Sequence, residues 1–121
     1  MLAYKLLGSG LNSLSVEAMK DVATGLSAAG SASSDAYEIT FAKNAFSTVA
    51  SGTGAILDSE AAPGDSLLIY NGGANTLRVY PHASTARINN LALNSPALVP
   101  AATAAEFFML SSTLWTGVLS K

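Results

Sequence analysis

From Tyr37 onward, apolar residues recur at every second position in short runs separated by turn residues. In "YEITF" Tyr37, Ile39 and Phe41 share one face, and Glu38 and Thr40 the other. "AFSTVA" (45–50) is rich in β-formers and closes on Gly52 and Gly54; "GAILDSE" adds a short apolar patch and "AAPGD" (61–65) a turn. "SLLIY" (66–70) is apolar on both faces, as a strand enclosed between two layers is. "TLRVY" (76–80) alternates, with Leu77 and Val79 inward and Arg78 and Tyr80 outward. "ARIN" (86–89), "ALV" (97–99), "EFFML" (106–110) and "LWTGVL" (114–119) complete the set, punctuated by Asn89-Asn90, Pro96, Pro100 and Ser111-Ser112. Short strands with frequent turn signals predict an all-β fold, an antiparallel β-sandwich or jelly-roll-like barrel. No internal repeat is evident.

The first 36 residues follow a different period. Val16, Met19, Val22 and, one turn on, Leu26 stand at helical spacing. Ser15 is a suitable N-cap, Glu17 lies in the first turn where the helix dipole favours an acid, and Gly25 ends the pattern. One short helix over 15–24 is therefore expected. "SAAGSASSD" (27–35) has the composition of a linker. Ahead of the helix, Leu2, Tyr4, Leu6 and Leu7 make residues 1–10 an apolar arm, which either packs on its own domain or docks on a partner. The chain divides into an arm, helix and linker (1–36) and a β domain (37–121).

Four groups of residues invite a chemical reading. "NGGAN" (71–75) is glycine-rich, but a strand follows it where a phosphate cradle needs a helix; it reads as a hairpin connector whose Asn and Gly tolerate positive φ. His82, the sole histidine, has no nucleophile motif beside it and no histidine or cysteine partner for a metal. Asp58, Glu60 and Asp65 are oxygen donors within one loop, yet lack the dense spacing of a calcium-binding loop and read as a solvated turn. Tyr70, Tyr80, Phe107, Phe108 and Trp115 are candidates for stacking on sugar rings. Phe107 and Phe108 point to opposite faces, one suited to the core and the other to a subunit contact.

Composition turns these negatives into a picture. Charged residues make up 12% of the chain, about half the usual share, while hydrophobic residues make up 50%. Too few charges remain to solvate a monomer's surface, so part of that surface is expected to meet other chains. The net charge of −2 and the scattered Lys and Arg exclude a phosphate-backbone binder. With no cysteine, disulfides and thiolate metal sites are excluded. No apolar run is long enough for a membrane span and the start is too weak for a signal peptide, so a soluble chain is expected, without cofactor or enzymatic activity.

Three segments together resemble a known group. "AFSTVASGTGAIL", then "APGDSLLIYNGGANTLRVYPHASTARINNLALN", then "ALVPAATAAEFFMLSSTLWTG" are similar to tailed-phage virion proteins of the capsid decoration (cement) and head-fibre type. The positions that carry the resemblance are Gly64-Asp65, Asn71 to Asn75, Val79-Tyr80-Pro81, Ile88-Asn89, Phe107-Phe108 and Trp115, in that order. It covers about residues 45 to 117. "HASTAR" (82–87) departs from the more glycine-rich turn of that pattern. The resemblance implies a structural subunit on the outer surface of a virion capsid, a homotrimer whose partners are the major capsid protein and its own copies. Leu2, Tyr4, Leu6, Leu7, Val16, Met19, Val22, Tyr80, Phe108 and Trp115 are the expected interface residues. The alternative is a carbohydrate- or receptor-binding domain of a fibre or spike, acting through Tyr80 or Trp115.

Overall fold

The computed structural model describes residues 21–120. Among them the chain forms ten strands and a single 3-10 turn (Ser33–Asp35). The strands are β1 (Val22–Ser27), β2 (Tyr37–Glu38), β3 (Lys43–Thr48), β4 (Gly54–Ile56), β5 (Ser66–Asn71), β6 (Leu77–Tyr80), β7 (Arg87–Ile88), β8 (Ala97–Val99), β9 (Thr103–Ser111) and β10 (Leu114–Leu119). They lie in a six-stranded sheet ordered β1-β3-β5-β9-β10-β7 and a four-stranded sheet ordered β2-β4-β6-β8. The all-β expectation holds.

The winding is not that of an antiparallel sandwich. The first six strands alternate between the sheets, and every pairing among them is parallel: β1 with β3, β3 with β5, β2 with β4 and β4 with β6. Two parallel neighbours need a crossover between them. Here each crossover is a strand of the opposite sheet, which gives this half of the molecule a solenoid-like course. Only then does the chain reverse: β8 runs antiparallel to β6 and β9 antiparallel to β5. β9 and β10 form a hairpin, and β7 closes the far edge parallel to β10.

The core fills the space between the sheets. Phe46, Leu67, Ile69, Ala105, Phe107, Met109 and Trp115 come from one inner face, and Ala55, Leu77, Val79 and Val99 from the other. Tyr37 packs edge-on against Phe46, with ring centroids 5.5 Å apart, an arrangement that aromatic quadrupoles favour.

The helix expected over 15–24 does not form where the chain is described: residues 22–24 belong to β1, while 15–20 lie outside the described residues, as does the arm. The cause lies in Gly25. Its φ of +68° introduces a bulge, so that Ala23 pairs with Asn44 and Leu26 with Phe46. Ala23 and Leu26 thus face the core while Val22 faces outward, so Val22 and Leu26, which share a helical face in the sequence pattern, stand on opposite faces of the strand. The run expected as a linker is tied down. Ala28 donates to the Thr48 carbonyl, Ala29 and Gly54 exchange two hydrogen bonds, and Asp35 Oδ1 accepts from the Ser31 and Ala32 amides. Those two amides hold the Asp35 carboxyl below its ordinary pKa. Residues 22–35 thus pair and pack with the strands that follow 37.

Three smaller expectations change as well. β2 stops at Glu38; Ile39 is buried, but Phe41 is exposed. β5 is not enclosed between layers, since Leu68 is half-buried and Tyr70 exposed on its outer face. Tyr80, expected to point outward, is only 6% exposed.

Candidate interaction surface

The glycine-rich stretch is a crossing between sheets, not a hairpin. β5 belongs to the six-stranded sheet and β6 to the four-stranded one, and they do not pair. Asn71, fully buried at the end of β5, organises the crossing. Its Nδ2 donates to the carbonyls of Asn75 (2.8 Å) and Val99 (2.9 Å), and its Oδ1 accepts from the Gly73 amide (2.9 Å). Because Val99 lies on β8, this one side chain joins the two layers. Asn75 Nδ2 adds a bond to the Val49 carbonyl on the preceding crossing. The glycine is required here by proximity rather than by positive φ: a Cβ on Gly73 would stand 2.7 Å from the Val49 amide nitrogen and 2.8 Å from its side chain.

His82 and Trp115 form a pair that the sequence did not foretell. Trp115 Nε1–H donates to His82 Nδ1 at 2.9 Å, and the rings meet edge to face at 5.8 Å. Accepting at Nδ1 requires the neutral imidazole with its proton on Nε2. Desolvation acts in the same direction, lowering the His82 pKa. The histidine therefore serves the buried indole as an acceptor, satisfying a polar group that is costly to bury alone.

Trp115 is fully buried and Tyr80 nearly so, which corrects their expected place at an interface or a sugar platform: neither offers a ring face to a ligand. Asp58 Oδ1 accepts from the Glu60 amide and Asp65 Oδ2 from the Ala62 amide, so these carboxylates close their own turns. Among the described residues no group of three or more His, Cys, Asp or Glu is placed to hold a metal ion, and no helix is long and apolar enough to cross a membrane.

What the tertiary structure brings together is apolar surface. On the outer face of the six-stranded sheet, Val22, Tyr70, Leu110 and Val118 are exposed, and Leu68 and Phe108 half-buried. Lys43 and Glu106 are the charges among them, and Arg87 stands at the β7 edge of the same face. Next to this face, a cleft of about 370 Å³ opens between the layers, bordered by Leu91, Leu98, Phe107, Val118 and Leu119. Of the expected interface residues, Val22 and Phe108 lie on this face; Leu2, Tyr4, Leu6, Leu7, Val16 and Met19 lie outside the described residues. The strand alternation of "AAEFFML" already placed Glu106, Phe108 and Leu110 together, but nothing local joined them to Val22, Lys43 and Val118. No family model, characterised protein or solved structure matches the chain.

Proposed function

We propose that this chain is a structural virion protein, a decoration or cement subunit that attaches to the outer surface of a tailed-phage capsid and stabilises it by contact alone. The observation that carries the reading is the exposed apolar outer face on a chain with few charges, and the resemblance of its motif order to that of decoration proteins adds to it. A cement subunit acts by removing apolar area from water across subunit boundaries, at about 25 cal/mol per Å² before association costs. Even weak contacts then hold firmly when one unit bridges several shell subunits, because each further contact is made at high effective concentration. The partners on this reading are the major capsid protein and further copies of this chain.

Binding of the purified chain to shells of its virus prepared without it tests the reading. Co-sedimentation that saturates at a fixed number of copies per shell, with a raised temperature of shell disruption, is the expected result. Shells that neither bind the chain nor gain stability overturn it.

A further inference from the structure

We propose that the outer face of the six-stranded sheet is the contact of a two-fold homodimer whose symmetry axis runs along β5. The strand register carries one row of side chains across five strands: Val22 pairs with Lys43, Lys43 with Leu68, Leu68 with Glu106, and Glu106 with Val118. All five stand on the outer face, because alternation turns their neighbours Asn44, Leu67 and Phe107 into the core. From either end the row reads apolar, charged, apolar, charged, apolar, and its two charges are opposite. The next row repeats the symmetry with small residues, Ala45 and Ala104 on either side of Tyr70. Val22 (44%), Tyr70 (43%) and Val118 (59%) are all well exposed, and no described residue covers them.

The charges select both the partner and its orientation. A two-fold axis along β5 lays β3 of one copy over β9 of the other. Lys43 then faces Glu106 of the second copy, twice by symmetry, while Val22 faces Val118 and Ala45 faces Ala104. An axis along the row would instead set Lys43 against Lys43 and Glu106 against Glu106, a like-charge arrangement that costs affinity. Sheets pack about 10 Å apart, a gap that Lys and Glu side chains reaching from opposite faces can span. At about 4.8 Å between strands the row is about 19 Å wide. Three further row spacings from Tyr70 to Leu110 give a similar height, hence a footprint of roughly 400 Å² in plan. That is smaller than the roughly 800 Å² per partner of a standard interface. The dimer is accordingly a weak one, and it is an alternative to the three-fold association that the family resemblance implies. It does not rest on the coat reading: it concerns the free protein in solution, and a weak dimer that dissociates frees the same face for a shell.

Sedimentation of the full chain over a concentration series tests it. A monomer–dimer equilibrium is expected. Lys43→Glu and Glu106→Lys, each alone, should weaken association at least tenfold, and the double exchange should restore it to within about threefold of the original. Circular dichroism and melting of each variant establish that the fold is kept. A second measurement uses the absence of native cysteine. With a bis-maleimide linker of about 10 Å reach, which the gap between packed sheets requires because a direct disulfide spans too little, a mixture of Val22→Cys and Val118→Cys chains should give a covalent dimer that neither chain gives alone. A trimer, a monomer up to millimolar concentration, or single exchanges without effect each overturn the proposal. So does cross-linking as fast in the separate chains as in the mixture, or a face occupied by residues 1–20 of the same chain.

Discussion

Replacing Asn71 removes the side chain that joins the two sheets, and the structure sets the size of the effect. Asn71→Ala abolishes three hydrogen bonds, two donated to the Asn75 and Val99 carbonyls and one accepted from the Gly73 amide. An intramolecular hydrogen bond contributes about 1 kcal/mol net, and a buried group left unpaired costs about 1–3 kcal/mol. The site is fully buried, so water does not replace the lost partners. Together these give a loss of about 3–5 kcal/mol, a large fraction of the roughly 5–15 kcal/mol that stabilises a domain. Asn75→Ala, which loses one bond at an exposed residue, should cost about 1 kcal/mol. Asn71→Asp keeps the acceptor for Gly73 but turns a carboxylate toward two carbonyl oxygens. Burial raises the pKa of the introduced carboxyl, so this variant is least damaged below the ordinary carboxylate pKa and loses stability as pH rises through the folded value. Urea unfolding followed by circular dichroism measures all three; for Asn71→Ala the midpoint should fall by roughly 2 M. An Asn71→Ala protein within about 1 kcal/mol of the parent, or an Asn71→Asp protein equal to it at neutral pH, would refute the account of the crossing.

Two other perturbations test neighbouring parts of the argument. Gly73→Ala drives a Cβ into the Val49 backbone and side chain and should destabilise by about 2–3 kcal/mol, whereas the same change at exposed Ser47 should stay within about 0.5 kcal/mol; equal effects in urea melts would remove the close-approach argument. His82 is held neutral with its pKa below the ordinary 6.5, so its contribution is complete above that value and is lost as pH falls from 6.5 toward the folded pKa. Stability measured at about pH 8 and about pH 5.5 should therefore fall more for the parent than for His82→Ala. The fluorescence of Trp115, the only tryptophan, should titrate with a midpoint below 6.5. Identical pH dependence in the two proteins would sink the assignment of Nδ1 as acceptor.

Much of the β structure was legible because period-two alternation is a local property. Leu77 and Val79, Phe107 and the core position of Ile39 follow from it directly. Val22 and Leu26 misled because they stand about one helical turn apart in sequence, whereas β1 with its Gly25 bulge turns Val22 outward and Leu26 to the core; the backbone bonds to β3 that decide this lie 21 residues away. The solenoid-like winding was hidden for a similar reason. Val22 pairs 21 residues on with Lys43, Lys43 pairs 25 on with Leu68, Tyr37 pairs 18 on with Ala55, and Gly54 pairs 24 on with Arg78. Crossings of unequal length leave no fixed period to detect. Trp115 and Tyr80 looked available for contact because an aromatic at a strand end carries no mark of which way the layers close over it.

The sequence by itself determined that this chain forms short strands, which side of most strands is apolar, and that few charges are present to solvate the surface. These depend on residues next to one another. Only the tertiary structure decided that the strands wind in parallel through two sheets, that Asn71 and the His82–Trp115 pair satisfy polar groups between distant segments, and that one row carries Lys43 and Glu106 on either side of Leu68. Side-chain alternation is the same in a parallel and an antiparallel ladder. Direction and partner are set by which pairing buries the most apolar surface while leaving the fewest backbone groups unbonded, and that is a property of the whole chain.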